Sequence, residues 1–313
     1  MWRLMVRDDG ERGAIAVLVA LLLAVLLEFA ALAVDAGMLY CSSTSPIATS
    51  IANKNAIDGL NNVKSVSLDL TNRKVTVTAG AQQAGGAPNA VSLFFARVLG
   101  SNTADVITTS TVQWGSAVAG TTPFPLTYSI CQVQGYIGGA LQLLQDHGSG
   151  ANPSCNYGPS GATVPGGFGW LAQDPGLCGS TINLAASEAG SASGNSLGNC
   201  STTLQKWGDT LTAGRDVIVL LPVFDVATGT GAGAIYHLVS FAAFKVTGWK
   251  FSGGNNSLPD SFRNTSPYVS STLSCTGGCR GIIGSFVKYV SLADGYSLGP
   301  VDAYGATIVR LTN

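Results

Sequence analysis

The chain has 313 residues, with 16 Lys+Arg against 17 Asp+Glu, a formal net charge of −1, 11% charged residues and 40 glycines. That length holds one large domain or two ordinary ones with a real hydrophobic core. The absence of a basic surplus argues against a nucleic-acid partner, and low charge with 46% hydrophobic residues argues against global disorder.

The first predicted element is an apolar run from Ala14 to Val34 whose one charge is Glu28. A helix of this length matches a hydrocarbon core of ~30 Å, and it exceeds the roughly 7–15 residues of a signal-peptide core. The expectation is a transmembrane helix over 14–36. Its rival is a cleaved signal peptide, for which Ala31-Leu32-Ala33 offers a site. Arg3, Arg7 and Arg12 precede the run and no Lys or Arg follows until Lys54. This places tail 1–13 in the cytoplasm and the bulk outside, with membrane lipid as a partner. Glu28 is the candidate for a contact between membrane helices.

A juxtamembrane segment, 37–62, follows. Ser45 as N-cap and Pro46 in the first turn predict an amphipathic helix carrying Ile47, Ile51, Ala52, Ala56 and Leu60. Alternation at Val66, Leu68 and Leu70, turn chemistry at Thr71-Asn72, and alternation at Val75, Val77 and Ala79 predict a hairpin. Asn89 then caps a short helix with Val91, Phe94, Phe95 and Val98 on one face, and a strand runs from Ala104 to Trp114. Segment 63–120 therefore reads as a small α+β module.

Beyond the linker Thr121–Pro125, segment 121–313 reads as a Cys-containing, β-rich domain. Residues 148–198 are loop-like, rich in Gly, Ser, Asn and Pro. Strands are predicted at Asp216–Val226 and Ala234–Val246 around a Gly-rich tip, and again at Ile282–Leu292 and Val301–Leu311. Pro222 lacks a ladder donor, so its strand should lie at an edge or bulge there. Cys131, Cys155, Cys178, Cys200, Cys275 and Cys279 form an even set suited to disulfides in an oxidising compartment, with the pairing left open. Cys41 is the odd thiol, either bridging two chains or buried and unpaired.

Candidate chemistry is sparse. Gly194-Asn195-Ser196-Leu197-Gly198 matches a nucleophile elbow, and Asp225 and His237 follow in hydrolase order. The small, polar residues before Ser196 do not read as the buried strand an elbow requires. Gly229–Ala234 lacks the strand–turn–helix context of a dinucleotide fingerprint. Cys275 and Cys279 have no second pair to complete a zinc site. His147 and His237 read as ordinary surface or satisfied residues. The expectation is a protein that is not an enzyme and holds no cofactor or metal.

Glu11-Arg12-Gly13-Ala14-Ile15-Ala16-Val17 leading into the apolar run, then Ala33-Val34-Asp35-Ala36-Gly37-Met38-Leu39-Tyr40, resembles the TadG-like N-terminal domain of TadE/TadG-like (Tad/Flp) pilus-assembly proteins. Phe94–Gly100, Phe124-Pro125-Leu126 before Cys131, and Gly166–Leu171 resemble actinobacterial envelope proteins of this kind. The resemblance implies a pseudopilin-like, membrane-anchored accessory or structural protein of Flp (Tad) type IV pilus assembly. It would sit single-pass in a bacterial cytoplasmic membrane, with other pilus-assembly or envelope proteins as partners. The alternative is an exported binding or adhesion protein with a cleaved signal peptide. The fold class expected overall is a single N-terminal transmembrane helix, an α+β module and a β-rich, disulfide-stapled extracytoplasmic domain.

Overall fold

The structure, a computed structural model, describes residues 44–55, 61–81, 90–92, 103–105, 107–134, 136–146, 152–186, 188–191, 198–291 and 295–312. The chain divides into two compact units, one of residues 1–114 with 309–313 and one of residues 115–308.

In the first unit, helix α1 (Thr44–Asn55) carries Ala48, Ile51 and Ala52 at helical spacing, and Ala48 and Ile51 pack into the unit's core. It begins at Thr44, so Pro46 falls in the first turn, where a missing N–H costs nothing. Strands β1 (Asn61–Asp69) and β2 (Lys74–Ala81) form the predicted hairpin, with Val66 opposite Val77 and Leu68 opposite Val75. Asp69 fastens the turn by accepting from the Asn72 backbone N–H at 2.9 Å and from its Nδ2 at 2.7 Å. The side-chain bond, ahead of the backbone one, lowers the Asp69 pKa. Arg73 takes the left-handed conformation, φ 53°, that closes the reversal.

Strands β3 (Ala90–Ser92) and β4 (Thr103–Asp105) pair antiparallel. The helix expected from Asn89 therefore gives way to a strand at its start, while Phe94 and Phe95 lie outside the described residues. Strand β5 (Ile107–Thr121) pairs with β2, and Thr76–Thr111 and Thr78–Thr109 hydroxyl contacts of 2.9 and 3.1 Å lace the two together. Val75, Val77, Val112, Trp114 and Val309 complete this core.

In the second unit, strand β6 (Leu126–Ser129) enters a four-residue helix, α2 (Ile130–Val133), whose N-cap Ser129 Oγ accepts from the Cys131 N–H. Strand β7 (Gln142–Gln145) and the short strands β8 (Phe168–Trp170), β9 (Thr181–Asn183) and β10 (Glu188–Gly190) follow. Helix α3 (Ser201–Thr212) buries Leu204, Trp207, Gly208 and Leu211, one apolar stripe at spacings of three and four. Arg263 donates to the Leu211 carbonyl at 3.2 Å near the helix end, while its guanidinium stacks over Phe262 and Tyr268.

Two long antiparallel strands, β11 (Val217–Thr228) and β12 (Ile235–Lys250), dominate this unit. Their Gly-rich connection is a hairpin tip, with Gly229 and Gly231 at positive φ, and not the opening of a helix as a dinucleotide site requires. Pro222 lies in β11 between β12 and β6, and the ladder shifts register just after it, at Val223/Phe224. The bulge, rather than an edge position, accommodates its missing donor. Strands β13 (Ser261–Phe262), β14 (Gly281–Val287), β15 (Tyr289–Ser291), β16 (Tyr296–Gly299) and β17 (Thr307–Leu311) end the chain, the last passing from the second unit into residues of the first.

The path β7-β14-β12-β11-β6-β8 curls until its two ends meet, through a parallel bridge between Asp146 and Phe168. An aromatic core fills the unit. Phe124, Tyr128, Phe168, Phe224, Phe241, Phe244, Trp249 and Phe286 are all buried. Tilted and edge-to-face ring pairs at 4.9–5.5 Å, such as Phe244–Phe286 and Phe168–Trp170, fit the electrostatics of aromatic rings.

β-sheet dominates the described residues, and no helix among them is long and apolar enough to cross a membrane. Helices α1 and α3 have 12 residues each, roughly 18 Å at the helical rise, well short of a hydrocarbon core of ~30 Å. The expected fold class, a transmembrane helix ahead of an α+β module and a β-rich domain, is corrected accordingly. So is the single-pass location in a cytoplasmic membrane with its N-terminus inside. Segment 14–36, Glu28 and Cys41 lie outside the described residues.

The six remaining cysteines pair as chain neighbours: Cys131–Cys155, Cys178–Cys200 and Cys275–Cys279. The last pair closes a small loop held from below by Lys250. That side chain is 5% exposed and donates to the carbonyls of Gly277 at 2.8 Å and Cys279 at 3.4 Å. Among the described residues no cluster of His, Cys, Asp and Glu is arranged to hold a metal.

Three tyrosines set the response to alkali. Burial pushes the Tyr128 phenol well above its ordinary range, and its hydroxyl has no hydrogen-bond partner among the described residues. Tyr236 is pushed up to about 12 by burial and then by the Asp146 carboxylate, and Tyr296 to about 12 by burial. Each folded-state value lies above the unfolded one of about 10, so the neutral phenols favour folding. Their contribution is complete below pH ~10 and is lost as pH climbs through 12. Alkaline unfolding is expected to begin above pH ~10, with phenolate absorbance rising together with loss of circular dichroism. Tyr128→Phe should leave neutral-pH stability unchanged or raise it by up to about 1 kcal/mol, because it removes a buried, unpaired hydroxyl.

Candidate functional site

Beside the Cys131–Cys155 disulfide, the second unit carries an open groove of about 560 Å3. Four segments build it: α2 with the turn after it, strand β7 and the loop 152–157, close in sequence, and the distant residues 272–273. That volume lies within the ~300–1,000 Å3 of small-molecule sites.

Each wall is held by backbone. The turn after α2 is fixed by the Gly139 N–H donating to the Tyr136 carbonyl at 3.0 Å, and by the Gly138 N–H donating to Phe286 of β14 at 3.0 Å. It projects Tyr136 outward, 47% exposed. Across the disulfide, Cys155 and Val164 exchange backbone hydrogen bonds of 3.1 and 2.8 Å, presenting Tyr157 at 49% exposed. Leu141 adds a third exposed apolar surface.

The floor runs along the seam where the ends of the curled sheet meet. Asn152 caps the β7 side of it as a surrogate peptide group: its Nδ2 donates to the Leu143 carbonyl and its Oδ1 accepts from the Gln145 N–H, both at 3.0 Å. A Cβ at Gly166 would collide with the Asn152 and Pro153 carbonyls, and one at Gly167 (φ 82°) with the Gln145 carbonyl. The Gly166-Gly167-Phe168-Gly169-Trp170 motif thus has a packing reason. Two backbones approach too closely for any side chain, and Gly169 lies against the Tyr236 ring.

Every described lining residue is uncharged. Gln132, Gln134, Gln142 and Gln145 are among the lining residues, and the Gln142 Nε2 is buried without a hydrogen-bond partner among the described residues. Chemically, the groove offers apolar ring faces beside groups that each donate and accept. None of its non-cysteine residues is legible as a site in the sequence, because each lies in a turn or short strand of its own. The one available signal is the absence of any charge between Asp105 and Asp146, a stretch containing Gln132, Gln134, Gln142 and Gln145.

The hydrolase-like candidates separate differently. Asp225 and His237 do meet, with Oδ1 and Nδ1 2.6 Å apart, on neighbouring strands where the β11 bulge at Phe224/Val226 displaces the ladder. Glu188 of β10 sits opposite His237 in the adjoining register. Ser196 and His147 lie outside the described residues. The observed pair fastens a bulged hairpin. Comparisons with protein families, with curated proteins and with solved structures return no match for this chain.

Proposed function

We propose that the chain is an exported envelope protein that acts by binding, with the uncharged groove as its contact site. The observation that carries this reading is the groove itself. Exposed Tyr136 and Tyr157 and four glutamines are among the lining residues of a frame braced by a disulfide, and the described lining residues include no carboxylate, histidine, lysine or arginine that would serve acid–base chemistry. Three disulfides support an oxidising, extracytoplasmic setting. A second reading, an accessory of Flp-type pilus assembly in contact with other envelope proteins, is favoured by the motif running from Glu11 to Tyr40.

The test is compartment and redox state together. In spheroplasts of producing cells, a membrane-impermeant maleimide should label the six paired cysteines only after an impermeant reductant has been added. Labelling that requires lysis and no reductant would place the protein inside with free thiols and overturn the reading.

A further inference from the structure

We propose that the groove binds a neutral carbohydrate, an inference that rests on the binding role above and names the ligand class. A pyranose ring presents an apolar C–H face and a rim of hydroxyls, each both donor and acceptor. Tyr136 and Tyr157, 47% and 49% exposed, offer flat apolar faces for the first. The glutamines among the lining residues, Gln134, Gln142 and Gln145, carry side chains that both donate and accept for the second.

The Gln142 Nε2, on a residue lining the groove, has no hydrogen-bond partner among the described residues. A buried amide donor without a partner is costly, and a ligand hydroxyl reaching it would recover that cost. Charge rules out the competing chemistries. Phosphates, uronic acids and nucleic acids favour cationic partners, and the described lining residues include none. A proline-rich peptide would also suit the tyrosines, but its tertiary amides only accept, leaving the carboxamide oxygens of the groove unmatched.

Calorimetric titration of the full chain with neutral gluco-, manno-, galacto- and N-acetylglucosamine oligosaccharides tests the assignment. A uronic-acid oligosaccharide and a polyproline peptide serve as comparisons. At least one neutral sugar should bind with a dissociation constant of ~0.1–1 mM, the scale of a shallow, open site. Tyr136→Ala and Tyr157→Ala should each weaken it about tenfold, and the corresponding Phe variants should retain it. Gln142→Leu should weaken it several-fold with no fall in melting temperature, which separates a ligand contact from a structural role. Binding of the peptide or the uronic acid alone, no binding by any neutral sugar, or binding undiminished in the double Tyr→Ala variant would overturn the proposal. Extracytoplasmic labelling with no sugar binding would defeat this inference alone, whereas intracellular, reduced protein would defeat the binding role beneath it.

Discussion

Replacing Phe124 by alanine is expected to lower the unfolding free energy of the second unit by about 3–5 kcal/mol. The side chain is fully buried, with ring centroids 5.1 Å from both Trp207 and Phe251 and 6.3 Å from Trp170. Its loss therefore removes transfer energy and also leaves a cavity among rigid rings that cannot collapse into it. Urea denaturation should show a lower midpoint at unchanged slope, because the surface exposed on unfolding is nearly the same. Phe124→Leu should cost much less, as it refills most of the volume. Leu70→Ala serves as the control: Leu70 is 53% exposed in the hairpin turn, and its truncation should change stability by less than about 0.5 kcal/mol.

The disulfides should rank by the loops they close. Cys131–Cys155 and Cys178–Cys200 span 24 and 22 residues, for which the chain-entropy relation gives about 3–3.5 kcal/mol each, while the 4-residue span of Cys275–Cys279 gives about 2. Paired Cys→Ser variants, compared by denaturant titration, should lose stability in that order. Removing Cys178–Cys200 should also loosen α3, whose first residue follows Cys200 directly and which has no side-chain N-cap hydrogen bond. Equal losses from all three variants would show that native-state packing, not loop closure, governs their effect.

Local chemistry made much of the strand layout legible. Alternation at Val66/Leu68 and Val75/Val77 predicts partners that do face one another, because a residue period of two leaves one register that buries both faces. The Gly-rich tip and the flanking aliphatic runs locate β11 and β12, and the missing donor of Pro222 foretells the irregularity that follows it. Helix α3 is not among the elements predicted from the sequence, although Leu204, Trp207, Gly208 and Leu211 stand at amphipathic spacing. Its surroundings of Gly, Ser and Cys masked the period. At Ala90–Ser92 the helical spacing of apolar residues yields to pairing with Thr103–Asp105, a tertiary choice that local pattern does not encode. The expected transmembrane architecture is overturned because β-sheet dominates and no helix among the described residues is long and apolar enough to cross a membrane. Disulfide pairing and the groove depend on which distant turns meet. Tyr136, Gln142 and Tyr157 carry no mark of that in their own neighbourhoods.

The closed seam carries a consequence for self-association. A sheet whose ends are joined through Asp146–Phe168, with the Asn152 carboxamide occupying the donor and acceptor that a visiting strand would need, offers no template there for an invading chain. Fibre growth by strand addition must instead start at a flank such as β1, the terminal member of its path, where the protruding ammonium of Lys64 repels a like copy.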